Sequence, residues 1–383
     1  MTPRQPPHGV LFVADRIMHY HVATMHAIER DLAAQGIPFV IASANDKPNT
    51  TGRVAFRDKV VADHRYFHLT ETPVGTFTFR HQHGAVEILR EVNPLVLMTM
   101  CHSGTFSEWL LLHWARRHRR RCVAWQCGYE YNPTWVKRAI LDRFIPLFDF
   151  HLCYHTNAQL YAIQHGARSE QTVVVHNTID ESSIVASDTH LSKQSMAGRW
   201  PETRDKKIIL YVGAVLPEKR LETVFAALDI LADPKFFFLL VGDGPHLRTL
   251  RERYQSRRDW LAVGSIIQGV GEYFDAADVF VLPGTGGLAI NEAMAHRLPV
   301  VSGYADGSAD DLVIHGETGF RMQAETPREL AEYLSKIADD SHLAKQMGAA
   351  GNARIRGPLS FNSFVDRAVK SLIDQHELAS SSI

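Results

Sequence analysis

Short apolar β-forming runs alternate with longer segments of helical period along the whole chain, a rhythm that leaves few folds open. Val10 to Ala14 reads as a first buried strand, His21 to Gln35 as a helix closed by Gly36, and Pro38 to Ser43 as a second strand. Leu95 to Met100, Arg121 to Trp125 and Val173 to Val175 continue the series. Such βαβ repetition predicts an α/β chain with parallel sheets covered on both faces. With 383 residues there is length for two cores.

A polar, Ser-rich stretch from Glu181 to about Lys207 shows little periodicity and marks the expected domain boundary. A second strand series follows at Ile208 to Val212, Phe236 to Val241, Leu261 to Ile267, Val279 to Leu282 and Pro299 to Ser302. Helical segments are expected at Leu221 to Ala232, Asn291 to Ala295 and Pro327 to Ala338, with a last one at about Phe361 to Leu378. The expected domains are residues 1–180, residues 181–357, and a C-terminal helix over residues 358–383. Two doubly wound halves imply a cleft, with ligands at the carboxyl ends of the strands.

Lys and Arg number 41 against 42 Asp and Glu, so no overall charge draws the chain to nucleic acid. Four cysteines, Cys101, Cys122, Cys127 and Cys153, contain no C-x-x-C and read as reduced thiols. Met1 to Gly9 lacks the layout of a secretory signal, and no apolar run reaches membrane-spanning length. A cytoplasmic protein is expected, with any membrane contact peripheral.

Three segments carry chemistry. In Ala277 to Ala295 a strand gives way to Pro283-Gly284-Thr285-Gly286-Gly287-Leu288-Ala289 and then a helix. Closely spaced glycines and a free helix N-terminus suit a diphosphate, and Glu292 can accept hydrogen bonds from ribose hydroxyls. In Ile208 to Arg220 a strand ends at Gly213, and Lys219 and Arg220 stand ready to neutralise phosphate. Val241-Gly242-Asp243-Gly244-Pro245 is a third strand-to-turn junction. Each has a plain structural alternative as turn or surface chemistry. Gly284 to Ala289 also fits G-x-G-x-x-A, with Asp306 further on, which opens a second reading as an NAD-dependent oxidoreductase.

In this order the three segments resemble the C-terminal domain of retaining GT-B glycosyltransferases, specifically glycosyltransferase family 4. The likeness runs from about Ile208 to Phe320, and His176-Asn177-Thr178-Ile179-Asp180 is close to the Pro-Asn-Gly-Val-Asp that ends the first domain in the family. It implies a GT-B fold, two Rossmann-like domains facing across a cleft, with the acceptor on the first and the donor on the second. The reaction implied is transfer of a sugar from a UDP- or GDP-type nucleotide-sugar to a glycan or lipid-linked glycan, with retention, in polysaccharide or glycolipid biosynthesis.

By position, the resemblance assigns Glu292 to the ribose, Lys219 to the diphosphate, and Gly286, Gly287, Leu288 and Ala289 to the diphosphate and donor sugar. Gly213, Arg220 and Thr285 complete the expected donor set, and Lys219 and Glu292 are taken with His102 as the catalytic group. Three departures stand out: the first Glu of the family motif is Gly284, an expected Arg is Ala214, and the usual histidine after Trp125 is replaced by Gln126-Cys127. His102, His19 and His21 are candidates for the missing role, with His102 foremost. These losses also admit a catalytically inactive, nucleotide-sugar-binding homologue.

No Asp-x-Asp triplet occurs, so neither a metal nor a cofactor beyond the nucleotide-sugar is expected. Arg116-Arg117-His118-Arg119-Arg120-Arg121 follows Trp109 to Trp114, a helix that either meets anionic lipid at the inner face of the cell membrane or buries its apolar residues in the core.

Overall fold

The computed structural model describes residues 8–45, 58–74, 77–126, 128, 134–184, 186, 189–266, 268–303 and 307–382. Cys127 and Asp306 lie outside them. Two α/β units emerge: described residues up to 176 together with those from 362 onward, and residues 177–361.

The first unit holds β1 (Val10–Ala14), β2 (Phe39–Ala44), β3 (Asp63–Val74), β4 (Phe77–His83), β5 (Val96–Thr99), β6 (Arg121–Gln126), β7 (Phe150–Cys153) and β8 (Thr172–Val174). Their order is β4-β3-β2-β1-β5-β6-β7-β8. Seven strands run parallel, and β4 returns antiparallel on β3, a hairpin the sequence reading did not anticipate. β1 and β2 are fully buried and apolar but for Ser43, as strands covered by helices on both faces must be. The strand order reverses between β1 and β5, so the loops after these two strands part and leave a crevice.

The second unit holds β9 (Lys207–Val212), β10 (Phe236–Val241), β11 (Trp260–Gly264), β12 (Val279–Leu282), β13 (Val300–Ser302) and β14 (Gly319–Arg321), in the order β11-β10-β9-β12-β13-β14. All pairings are parallel. Here the reversal falls between β9 and β12.

The polar stretch read as aperiodic contains a helix, Thr189–Arg199. Little of it is apolar; Met196 enters the core, and Lys193 pairs with Asp278 at 2.6 Å. The helix Ser341–Arg356 is a further element absent from the sequence reading. The unit boundaries fall at 176/177 and 361/362, where the sequence suggested 180/181 and 357/358. Asn291 explains the first difference, because its amide donates to the Asn177 carbonyl at 3.3 Å and to Thr178 Oγ1 at 3.2 Å, holding both in the second unit. Leu359 lies in the second core, which explains the other. The final helix, Phe361–Ser380, groups with the first unit, where Phe364 meets Trp125 edge-on and Gln375 accepts from Arg121 at 2.6 Å.

In the helix Phe106–Arg117, Leu111 and Leu112 are core residues and Trp109 packs on Phe144 with ring centroids 4.8 Å apart. Arg116 donates to the Leu147 carbonyl and Arg120 to Asn93 Oδ1, both at 3.0 Å. Of the two uses open to this helix, the geometry favours the core. No helix among the described residues is long and apolar enough to cross a membrane.

Candidate active site

In the second unit β12 ends at Pro283-Gly284-Thr285-Gly286-Gly287, and the helix Leu288–Ala295 begins at once with Gly287 as its N-cap. Gly287 has no side chain to cap with, so the N–H groups of Leu288 and Ala289 make no hydrogen bond among the described residues; the first satisfied one is Ile290, on the Gly287 carbonyl. Unpaired N–H groups and the positive end of the helix dipole make this a place for an anion.

The loop after β9 is stitched to that turn. Thr285 N donates to the Glu218 carbonyl at 3.1 Å, and Lys219 Nζ donates to the Thr285 carbonyl at 2.5 Å. The contact is close enough that a Cβ on Gly284 would stand 2.0 Å from the Glu218 oxygen. Thus the residue at the position of the family's first Glu is glycine because the lysine loop occupies the space of a side chain. Gly286 has φ +141°, and a Cβ there would sit 3.1 Å from Lys219 Nζ. Gly213 lies against the turn after β10, since a Cβ on Gly242 would come within 1.9 Å of the Gly213 oxygen.

Glu292, on the second turn of the helix, is half-buried, and its carboxyl makes no hydrogen bond or ion pair among the described residues. Burial raises its pKa, with nearby His296 opposing the rise. Arg220, expected beside the diphosphate, has left-handed backbone (φ +54°) and ties its guanidinium to the Glu325 side chain and carbonyl, after β14. Lys219, Thr285, Gly286, Gly287, Leu288 and Ala289 are therefore brought together, with Glu292 along the same helix, while Arg220 is committed elsewhere.

His102 follows β5 in the first unit, at the reversal point of its sheet. Its Nδ1 lies 3.1 Å from Oδ2 of Asp15, the residue after β1. Asp15 Oδ1 accepts from Gln82 Nε2 at 2.7 Å, and Arg80 stands 3.6 Å from Oδ2 and 3.1 Å from Glu71. Burial alone would raise the Asp15 pKa, but the hydrogen bond and charge of His102, with Arg80 and Gln82, hold it below its ordinary value. Burial alone would lower that of His102, and Asp15 lifts it instead. Glu108, fully buried, accepts from the His102 backbone N–H at 3.0 Å and from Thr99 Oγ1 at 3.1 Å. Burial pushes its carboxyl up to about 8.

Asp15 and Glu108 escaped the sequence reading; the β1–β5 pairing brings Asp15 to His102, and Glu108 reaches it from the first turn of the helix that follows. His102 also borders a cavity of about 520 Å³ that reaches Gln126 and the helix Trp135–Phe144. Of the other histidines proposed, His21 hydrogen-bonds Tyr154 at 3.3 Å and is held down to about 4 by burial and His19. Among the described residues no cluster of three His, Cys, Asp or Glu could hold a metal ion.

Residues 192–354 match the family Glycosyl transferases group 1. The matched stretch lies within the second unit. Among curated proteins, the chain is 28% identical over 153 residues to sulfoquinovosyl transferase SQD2 of Arabidopsis thaliana, covering 38% of this chain and 29% of that one. It is 27% identical over 168 residues to the capsular polysaccharide biosynthesis glycosyltransferase CapM of Staphylococcus aureus, covering 41% and 43%. The matches thus span less than half the length of these relatives.

Among solved structures, Alr3699/HepE of Anabaena in complex with UDP aligns with TM-score 0.72 at 15% identity, covering 96% of this chain and 100% of that one. Sucrose-phosphate synthase of Thermosynechococcus elongatus aligns at 0.70 with 18% identity, covering 97% and 100%. At such identity the likeness is one of fold, and the fold is that of the GT-B glycosyltransferases, built from two parallel-sheet Rossmann-like domains. In the second unit the glycine turn follows β12, its fourth strand in sequence, whereas a dinucleotide fingerprint follows the first strand of its domain.

Proposed function

We propose that the chain is a retaining, hexosyl-type glycosyltransferase that moves a sugar from a UDP- or GDP-sugar to a glycan or lipid-linked glycan acceptor in polysaccharide or glycolipid assembly. The observation that carries this reading is the junction of Lys219 with the uncapped glycine turn at the β9/β12 reversal point. HepE was crystallised with UDP and UDP-glucose, and CapM is named for capsular polysaccharide biosynthesis; both agree with the reading.

In this mechanism the leaving diphosphate meets the Leu288 and Ala289 N–H groups and the Lys219 ammonium, fixed partners that need no rearrangement as charge develops. Glu292 accepts from the ribose hydroxyls. Leaving-group oxygen takes the acceptor proton, so chemistry proceeds without a metal and without a protein base. The enzyme works in the cytoplasm, in peripheral contact with the anionic inner face of the membrane.

Calorimetric titration with UDP, GDP, their sugar conjugates and NAD tests it, with Glu292→Ala alongside. One nucleoside diphosphate should bind saturably, with loss of about 1.5–3 kcal/mol in the mutant. Binding of NAD alone, or unchanged affinity in folded Glu292→Ala, sinks the reading. Donor binding without transfer to any acceptor would leave an inactive homologue.

A further inference from the structure

The cavity beside His102 is lined by apolar and polar groups together. Val136, Ile140 and Leu141 of the helix Trp135–Phe144 are among the apolar ones, and Val136 and Ile140 remain exposed. Exposed aliphatic side chains in a concave surface signal an apolar ligand more than they signal fold stability.

The polar lining includes Gln126, His102, Arg80 and Lys137. Gln126, the last residue of β6, is 4% exposed. Its Nε2 donates to the Gly128 carbonyl at 3.1 Å, which fixes the amide orientation and leaves Oε1 buried without a partner among the described residues. A buried acceptor without a donor is costly, and an acceptor repels phosphate and carboxylate oxygens. A donor satisfies it; Arg80 and Lys137 in the same lining disfavour an ammonium, and a neutral hydroxyl fits. His102 offers a second polar group, since Asp15 occupies Nδ1 and Nε2 makes no hydrogen bond among the described residues.

We infer that this cavity takes an amphiphilic acceptor, its hydroxylated head on Gln126 Oε1 and His102 and its alkyl or aryl portion along Val136, Ile140 and Leu141. The inference rests on the glycosyltransferase reading and narrows its acceptor to a sugar or polyol joined to an apolar group. A volume of about 520 Å³ suits one sugar ring with a short chain.

The test is calorimetric titration of the full chain with n-hexyl β-glycosides of glucose, galactose and mannose, below their micellar concentrations, and with the methyl counterparts. At least one hexyl glycoside should bind saturably, more tightly than its methyl counterpart by about tenfold or more. Gln126→Leu should weaken that binding by about fivefold or more. Ile140→Asp, at a surface position that folding tolerates, should remove the advantage of the hexyl chain. The inference falls if no hexyl glycoside binds, if hexyl and methyl glycosides bind alike, or if both variants bind as wild type does. UDP titrated in parallel separates the two readings: UDP binding without glycoside binding overturns only this inference, and the converse overturns only the donor site.

Discussion

Lys219 holds its ammonium 2.5 Å from the Thr285 carbonyl oxygen across 66 residues of sequence, joining the loop after β9 to the glycine turn after β12. That bond aims a cation at the start of an uncapped helix. Removing the charge with Lys219→Met should weaken nucleoside diphosphate binding by about 1.5–3 kcal/mol, the scale of a hydrogen bond to a charged group. Gly286→Ala should act in the same direction but less, through a Cβ 3.1 Å from Nζ at φ +141°. UDP affinity by calorimetry checks both, and an unchanged value in folded Lys219→Met refutes the role.

Gly284 makes the opposite case, a departure from the family that geometry enforces. Its Cβ would stand 2.0 Å from the Glu218 oxygen and 2.7 Å from the Lys219 carbonyl carbon. Both are backbone atoms, which cannot swing aside. Gly284→Ala should therefore cost about 1–3 kcal/mol of stability, as overpacking does, and displace Lys219 as well. Gly284→Glu, which restores the family residue, should lose UDP affinity rather than gain sugar contacts. Chemical denaturation and calorimetry read the two effects, and a Gly284→Ala protein of wild-type stability would show that the loops part freely.

The glycine turn and the lysine beside it were legible in the sequence because their groups are local. Gly284 to Glu292 form one continuous strand-turn-helix segment, and Lys219 lies soon after another strand. The His102 network was not legible. Asp15 and His102 are 87 residues apart, and only the pairing of β1 with β5 brings them together. Glu108 reads as an ordinary first-turn helix acid, and nothing in its neighbours announces that it is buried. The helix Thr189–Arg199 went unseen because polar residues dominate it and tertiary contacts, such as Lys193 with Asp278, set its place. Arg220 looked like a phosphate ligand until Glu325, 105 residues on, took its guanidinium.

The membrane contact proposed above fits the helix Trp135–Phe144 better than the Arg116–Arg121 run. The helix Trp135–Phe144 leaves Trp135 81% exposed and carries Lys137, Arg138 and Arg143 against the single acid Asp142. Apolar and cationic groups on one short helix suit an anionic interface. The protein should sediment with phosphatidylglycerol vesicles at low salt and be released at about 0.5 M salt, where screening is short-ranged. Arg138→Glu should reduce sedimentation more than Arg117→Glu. No sedimentation at low salt, or the reverse ranking, counts against this surface.

His102 should titrate above the ordinary imidazole value because the Asp15 hydrogen bond and charge outweigh its burial. Its contribution to stability is then complete below the unfolded histidine pKa and is lost as pH rises through the folded one. NMR titration of the ring should give a midpoint above about 6.5. Asp15→Asn should bring it down, since only Glu108 then opposes burial and Arg80. A midpoint unmoved by that substitution would mean Asp15 does not govern the ring.

Glu108 provides a second pH dependence, and its sign can be worked out in full. Burial lifts its folded pKa to about 8, while the unfolded chain has the ordinary value near 4.5. Between these values the folded state holds a proton that the unfolded state has released. Stability therefore declines as pH rises from about 4.5 to about 8 and levels off above, with a full loss on the order of 5 kcal/mol. His102 pulls in the same direction, so wild type alone cannot separate the two. Glu108→Gln does: its amide oxygen still accepts from Thr99 and from the His102 N–H, and it carries no proton to lose. Denaturation from pH 5 to pH 9 should show the mutant gaining steadily on wild type, with the residual slope in the mutant belonging to His102. Parallel curves across that range would mean that Glu108 is not held neutral in the folded protein.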